Sequence, residues 1–248
     1  MFKVFKTRFE QGYRTMKYPK EPVVLPPSYR GLPVLHSDCD AEVVNKCAAA
    51  CPQDCINSKN GSIDLGRCLF CGICERVSDG KFVTFSQNFE LGSAQREKLI
   101  TSTGSLPDLA AHSKKHFKKL FGRSLQLRQV CAGGCNNCEA DINVLATPAY
   151  DLSRFGISYV ASPRHADGIH VTGPVTRNMK SALLAAFEAV PAPRVVIASG
   201  ACAISGGPFF GSSEVSAGLD SIIPVDLYIP GCPPHPLTTL HALLRFFK

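Results

Sequence analysis

The sequence predicts an α/β protein in which a parallel-sheet domain follows a smaller α+β domain. Two patterns lead to this reading. From about residue 124, short apolar strand-like runs alternate with helical ones, as in a parallel sheet covered by helices. Before it, residues 37–90 combine dense cysteines with short apolar snippets and turn residues, which suits a small fold held by inorganic groups. A chain of 248 residues has room for one or two such domains.

The elements follow in order. Residues 1–36 form an arm: Phe2, Val4, Phe5 and Phe9 against basic residues predict a short amphipathic helix, and Pro19, Pro22, Pro26, Pro27 and Pro33 predict extended chain. Residues 37–90 are the cysteine-dense domain, and 91–123 read as a polar, basic linker carrying a helix. Within 124–248 the expected strands are Ser124–Val130, Ile157–Ala161, Ile169–Thr172, Arg194–Ala198 and Val225–Ile229. The expected helices are Glu139–Ala146, Val175–Val190 and Leu237–Phe247. In an open α/β sheet, functional groups gather at the carboxyl ends of the strands. Cys131, Cys135 and Cys138 follow the first strand, Cys202 the fourth and Cys232 the fifth, so these five are expected on one rim.

Composition narrows the chemistry. No apolar run reaches the roughly eighteen residues of a membrane helix, and the start MFKVFKTRFEQGYR has no apolar core followed by a cleavage site. The expected compartment is therefore the reducing cytosol, where 12 cysteines in tight spacings act as ligands far more often than as disulfides. The net charge of +7 is concentrated. Residues 1–30 hold seven Lys/Arg against two Glu, and residues 112–128 hold six with no acid. Such patches suit an anionic lipid surface or an acidic partner, or are solvated faces. Nucleic-acid binding lacks both a recognition motif and interleaved aromatics. There is no Ser/His/Asp pattern and no phosphate loop.

Cys135 and Cys138 form a CxxC in CNNC, Cys202 lies in SGACAISGG and Cys232 in PGCPPHP. Glycine allows close backbone approach to a bulky group, and proline stiffens the loop that aims the thiolate. Four converging thiolates suit a cubane [4Fe–4S] cluster; a tetrahedral zinc also accepts four, and CxxC alone does not separate them. Cys131, Cys135 and Cys138 also spell the CxxxCxxC of radical S-adenosylmethionine enzymes, but those need a larger barrel than the 110 residues after Cys138 allow.

From about residue 117, the motifs FGRSLQLRQV, GGCNNCE, RFGISYVASPRHAD, VTGPVTRNM, ASGACAISGG and IPVDLYIPGCPPHP resemble the small subunit of group 4 membrane-bound [NiFe] hydrogenases, formate hydrogenlyase included, and its complex I homologue. The resemblance implies a flavodoxin-like sheet, with Cys135, Cys138, Cys202 and Cys232 holding a proximal [4Fe–4S] cluster and Cys131 a non-ligand near it. Complex I subunits carry two adjacent cysteines at the first ligand site, so Cys135-Asn-Asn-Cys138 and GPVTRNM place this chain on the hydrogenase side.

Residues 1–91 resemble the ferredoxin-like subunit of the same complexes, through YPKEP, YRGLP, CPQDC, GRCLFCGIC and FSQNFELG, so two neighbouring subunits look joined in one polypeptide. In a two-cluster ferredoxin the fourth Cys of each run ligates the other cluster. That rule assigns Cys51, Cys68, Cys71 and Cys74 to one [4Fe–4S] cluster. The second site keeps only Cys47, with Ala41, Val44 and Ser78 at the other positions, and reads as lost. Cys39, Cys47 and Cys55 remain. They are either buried small residues or an irregular third cluster completed by Ser78 or His36. A zinc knuckle is the minor alternative for the CxxCxxC run.

By resemblance, the chain is a non-catalytic electron-transfer subunit of an oxidoreductase complex, lying peripherally on the cytoplasmic face of the cell membrane. Its partners would be a [NiFe]-type large subunit, membrane ion-pumping subunits and a ferredoxin or iron–sulfur donor. The alternative is the same wire in a nickel-free or quinone-reducing, complex I-like assembly. In SPRHAD, Arg164, His165 and Asp167 would either face the large subunit and couple protons to the cluster or simply fix their loop. Glu139 suits a helix start, and Arg177 is either a charge near the cluster or an interface residue. His112, His116, His170, His235 and His241 share no spacing.

Overall fold

A computed structural model describes residues 2–102, 119, 121 and 124–247. The second half is a five-stranded, wholly parallel sheet of β5 (Leu125–Cys131), β6 (Ile157–Tyr159), β7 (Gly168–Thr172), β8 (Val195–Ser199) and β9 (Leu227–Ile229), in the order β6-β5-β7-β8-β9. This is the flavodoxin-like order, whose topological switch point lies between the first and third strands, here β5 and β7. The central strands β7 and β8 are buried at every residue, as expected of parallel strands covered on both faces.

One face packs Leu125, Leu127, Ile197, Leu227 and Ile229 against the C-terminal helix Pro236–Phe247, which contributes Leu240, Leu243 and Phe247. The other face packs Ile169, Val171 and Val196 with Leu183 of the helix Arg177–Ala189. The same apolar cluster runs on into Ile63, Leu65, Phe82 and Leu99 of the N-terminal half. The smaller domain thus shares a core with the sheet. The Arg177–Ala189 helix starts two residues later than its apolar pattern predicts because Val175 has φ +50° and Thr176 is the extended N-cap.

The N-terminal half contains the helices α1 (Phe2–Gln11), α2 (Ala41–Ala50) and α3 (Ile73–Ser78). It has two antiparallel pairs, β1 (Pro33–Leu35) with β3 (Val83–Phe85) and β2 (Ile63–Asp64) with β4 (Ile100–Thr101). The helices of the sheet domain are numbered on as α4 (Asn137–Val144), α5 (Arg177–Ala189), α6 (Gly200–Ser205) and α7 (Pro236–Phe247). The expected linker does not begin at residue 91. Leu91 and Leu99 are buried, β4 pairs with β2, and Ser93 exchanges backbone hydrogen bonds of 2.9 and 2.8 Å with Tyr228. Apart from residues 119 and 121, the rest of the expected linker and the basic run at its end, up to residue 123, lie outside the described residues. Among the described residues, no helix is long and apolar enough to cross a membrane.

Candidate iron–sulfur sites

Five thiols are expected on the carboxyl rim of the sheet, and four of them, Cys135, Cys138, Cys202 and Cys232, come together there. Asn136, in the left-handed region at φ +73°, caps α4 and sets Cys138 in its first turn, one turn of chain after Cys135. Cys202 lies in α6, a short helix that starts immediately after β8, and Cys232 follows β9 in the PGCPP loop. Cys135 and Cys232 are exposed, Cys138 and Cys202 half-buried. Burial pushes the Cys202 thiol up to about 11, with Cys232 and Cys135 adding to the rise. Burial also raises Cys138, followed by the Glu139 carboxylate and the other three thiols. Burial and then Cys135 raise Cys232. Thiols from three separate segments therefore feel one another's charge.

Two glycines make room for these sulfurs. At Gly200, φ +89°, a Cβ would stand 2.9 Å from Cys138 Sγ. At Gly207, φ +53°, it would stand 2.8 Å from Cys202 Sγ. Glu139 is buried, and its Oε1 accepts a short hydrogen bond from the Thr172 hydroxyl at the end of β7. Cys131 ends β5 with its side chain exposed.

The N-terminal site is a small pocket lined by Cys51, Cys68, Cys71 and Cys74 together with apolar Ile56, Ile63, Ile73 and Phe85. Cys51 caps the C-terminus of α2, while Cys74 lies in the first turn of α3 behind Gly72, φ +72°. The backbone N–H of Phe70 donates to Cys68 Sγ at 3.3 Å. Burial raises Cys74 to about 11, with the Cys71, Cys47 and Cys51 thiols reinforcing it.

Of the three leftover cysteines, Cys39 and Cys47 lie near one another with Ser78 beside Cys47, and Cys55 lies apart from them. Cys55 lines the same pocket, its Sγ 3.3 Å from Cys51 Sγ. Cys47 is fully buried beside Val44, with its thiol donating to the Cys74 carbonyl at 3.4 Å. The Cys39 thiol donates to the Asp40 carbonyl at 3.7 Å, and His36 pairs with Thr84 at 3.1 Å. Ser78 is buried, its hydroxyl donating to the Glu75 carbonyl at 3.3 Å. Among the described residues, no three Cys, His, Asp or Glu side chains converge as ligands of a single metal ion would.

The two thiol sites adjoin. The Ser205 hydroxyl of α6 donates at 3.1 Å to the Gly66 carbonyl, two residues before Cys68. A Cβ at Gly66 would come within 2.8 Å of Ile204 in the same helix. On the other side, Leu69 and Phe70 share a groove with Gly231, Cys232 and His235. Tyr29 packs edge-on against His235 at 5.2 Å across that groove.

Other expected residues sit elsewhere. The Pro163–His165 turn and Asp167 precede β7, at the amino ends of the strands. Asp167 Oδ2 accepts the Gln126 N–H at 2.7 Å, and the Asp167 N–H donates to the Gln126 carbonyl at 2.7 Å. At about 3.3 Å per residue, the length of β7 puts roughly 13 Å between this loop and the cysteine rim, so a fixing role fits and direct coupling to the rim does not. Arg177 pairs at the surface with Glu214, 3.5 Å away. His170 is fully buried, 2.7 Å from the Tyr159 hydroxyl, and burial lowers its pKa to about 3. His241 pairs with Glu90 at 3.4 Å. His112 and His116 lie outside the described residues. Sequence reasoning missed Thr172, Phe70 and the pocket position of Cys55; only Cys55 carried a signal, its spacing of four from Cys51.

Residues 135–246 match the family described as the NADH ubiquinone oxidoreductase 20 kDa subunit. The probable membrane-bound hydrogenase subunit mbhJ of Pyrococcus furiosus is 46% identical over 126 residues, which are 51% of this chain and 75% of that protein. The chain belongs to this family. Formate hydrogenlyase subunit 7 of Escherichia coli is 47% identical over 132 residues, 53% of this chain and 52% of that protein. The B 1 subunit of the NADH-quinone oxidoreductase of a Roseiflexus species is 46% identical over 112 residues, 45% of this chain and 42% of that protein. The match to the last two thus spans about half of their length or less. The family match contains Cys135, Cys138, Cys202 and Cys232 and none of the cysteines before them.

Proposed function

We propose that this chain is the electron-transfer subunit of a membrane-associated [NiFe] hydrogenase-type complex, with a ferredoxin-like donor domain fused to its 20 kDa-type domain. Cys51, Cys68, Cys71 and Cys74 would hold one [4Fe–4S] cluster, and Cys135, Cys138, Cys202 and Cys232 the other. The clusters supply one-electron carriers; bond chemistry belongs to a large subunit. The observation that carries this reading is the shared wall, where the turn into Cys68 rests on α6, the helix bearing Cys202. The donor sets also suit the cofactor: four thiols each, with two glycines leaving room at the rim and an N–H aimed at Cys68. The order of electron flow is then donor, N-terminal cluster, C-terminal cluster, large subunit. The likeness to quinone oxidoreductase subunits supports a second reading, the same wire serving a nickel-free or quinone-reducing partner.

Iron analysis tests the cofactor count. The chain should carry about eight iron and eight sulfide, with Cys71→Ser and Cys232→Ser each losing about four. A value near twelve would restore the third cluster, and loss of no iron in either variant would remove the reading altogether.

Attachment would be peripheral, on the cytoplasmic face, beside ion-pumping membrane subunits. Helix α1 supports this: it buries no residue, and Phe2, Phe5 and Phe9 stand 92%, 68% and 91% exposed among basic side chains. Such a helix suits a lipid interface. Deleting residues 2–20 should move the complex to the soluble fraction, and high salt should weaken attachment because exposed charges are screened within about 8 Å at physiological ionic strength. Membrane association unchanged by both would reduce α1 to a solvated face.

A further inference from the structure

The N-terminal pocket contains five thiols, one more than a cubane uses. The fifth is Cys55. Its side chain is buried, lines the pocket and places Sγ 3.3 Å from Cys51 Sγ, with the Cys68 thiol also within hydrogen-bonding reach. The backbone leaves it little choice of position. The Asp64 N–H donates to the Cys55 carbonyl at 2.8 Å, the next residue, Ile56, bridges to Ile63, and the preceding Asp54 takes φ +46° to turn the chain inward. Stranded core cysteines usually pack against carbon; this one is held against two sulfurs assigned as ligands.

We propose that Cys55 is a positioning residue for the N-terminal cluster, whose S–H donates to the Cys51 ligand sulfur and makes that cluster easier to reduce. This rests on the cluster assignment proposed above. Reduction adds negative charge that is shared with the ligand sulfurs, and a hydrogen bond to a ligand sulfur stabilises the more negative state, so the potential rises with each donor. A thiol suits the role because it is small enough for an apolar pocket and still brings a proton. No ligand exchange or net chemistry is involved.

The test uses the full chain in its complex, with Cys55→Ala and Cys55→Ser variants compared with the unmodified protein by iron content and by EPR-monitored potentiometric titration. Both variants should keep about eight iron per chain, the content expected of the unmodified protein. Cys55→Ala should shift the N-terminal midpoint to a more negative potential while the C-terminal midpoint stays in place. Cys55→Ser, which retains a donor, should return most of the shift. Loss of about four iron in Cys55→Ala would overturn the proposal by making Cys55 a ligand. An unmoved midpoint in both variants would overturn it by leaving only packing. If the unmodified chain gave no signal removed by Cys71→Ser, the cluster assignment itself would have failed, a distinct result.

Discussion

The two thiol sites differ in how each is enclosed. The N-terminal pocket is walled by this chain's own apolar side chains, and Cys55 and Cys68 within it are buried. The C-terminal site lies on an open rim, where Cys135 and Cys232 are exposed and the Glu139 side chain is buried. An electron carrier with a dry shell is insulated from water and from unspecific partners, while one on a rim is accessible until another surface covers it. In the proposed function, electrons enter at the N-terminal pocket, which abuts α6 through Gly66, and the rim is the face on which a large subunit would sit.

The strongest way to break this comparison is to remove each cluster separately. Cys232→Ser in the rim loop should abolish every activity that moves electrons into or out of the partner's active site. It should also loosen the domain, because a cluster ligated from three segments helps hold them together. Cys71→Ser should cut turnover linked to the natural donor by orders of magnitude. Isotope exchange confined to the partner's metal centre should largely survive in that variant. Donor-linked turnover and H/D exchange measured side by side in both variants decide the matter. Full donor-linked turnover in Cys71→Ser would mean that electrons reach the rim without passing through the closed pocket.

Much of this arrangement was legible in the sequence for identifiable reasons. The parallel sheet was readable because β7 and β8, buried on both faces, are short and apolar throughout, and the carboxyl-rim rule then placed Cys135, Cys138, Cys202 and Cys232. SPRHAD lies at the opposite end of the sheet, where Asp167 fixes its loop, one of the two roles expected of it. A connection between parallel strands must travel back along the sheet, and β6 to β7 does so without an α-helix, so residues 163–167 end at the amino rim. The stretch at 91–101 looked like a linker because polar residues outnumber apolar ones, yet two buried leucines and the pairing of β4 with β2 are enough to anchor it. The spacing of four from Cys51 was the one sequence signal for Cys55 in the pocket, and it did not fix the aim of the side chain, which depends on a left-handed turn at Asp54 and a bridge at Ile56, neither of which has a fixed sequence signature.

A smaller perturbation sharpens the comparison without touching a sulfur. Gly200 joins β8 to α6 at φ +89°, and a methyl group there would lie 2.9 Å from Cys138 Sγ. Gly200→Ala therefore faces two penalties. The left-handed backbone costs an ordinary residue roughly 1–2 kcal/mol, and the Cys138 thiol must move from where the other three thiols meet it. The N-terminal pocket is lined by none of these residues. The expected result is a chain that retains its N-terminal EPR signal and about four iron, with the C-terminal signal lost or broadened. Thermal unfolding of the apo chain should show a destabilisation of about 1–2 kcal/mol. Gly211 supplies the control: it also has positive φ, +84°, but nothing lies within 4 Å of its Cβ position, so Gly211→Ala carries the backbone cost alone and should leave both clusters in place. Equal cluster loss in the two variants would show that the rim responds to general destabilisation. Loss in Gly200→Ala alone would show that the space beside Cys138 is what the rim cluster requires.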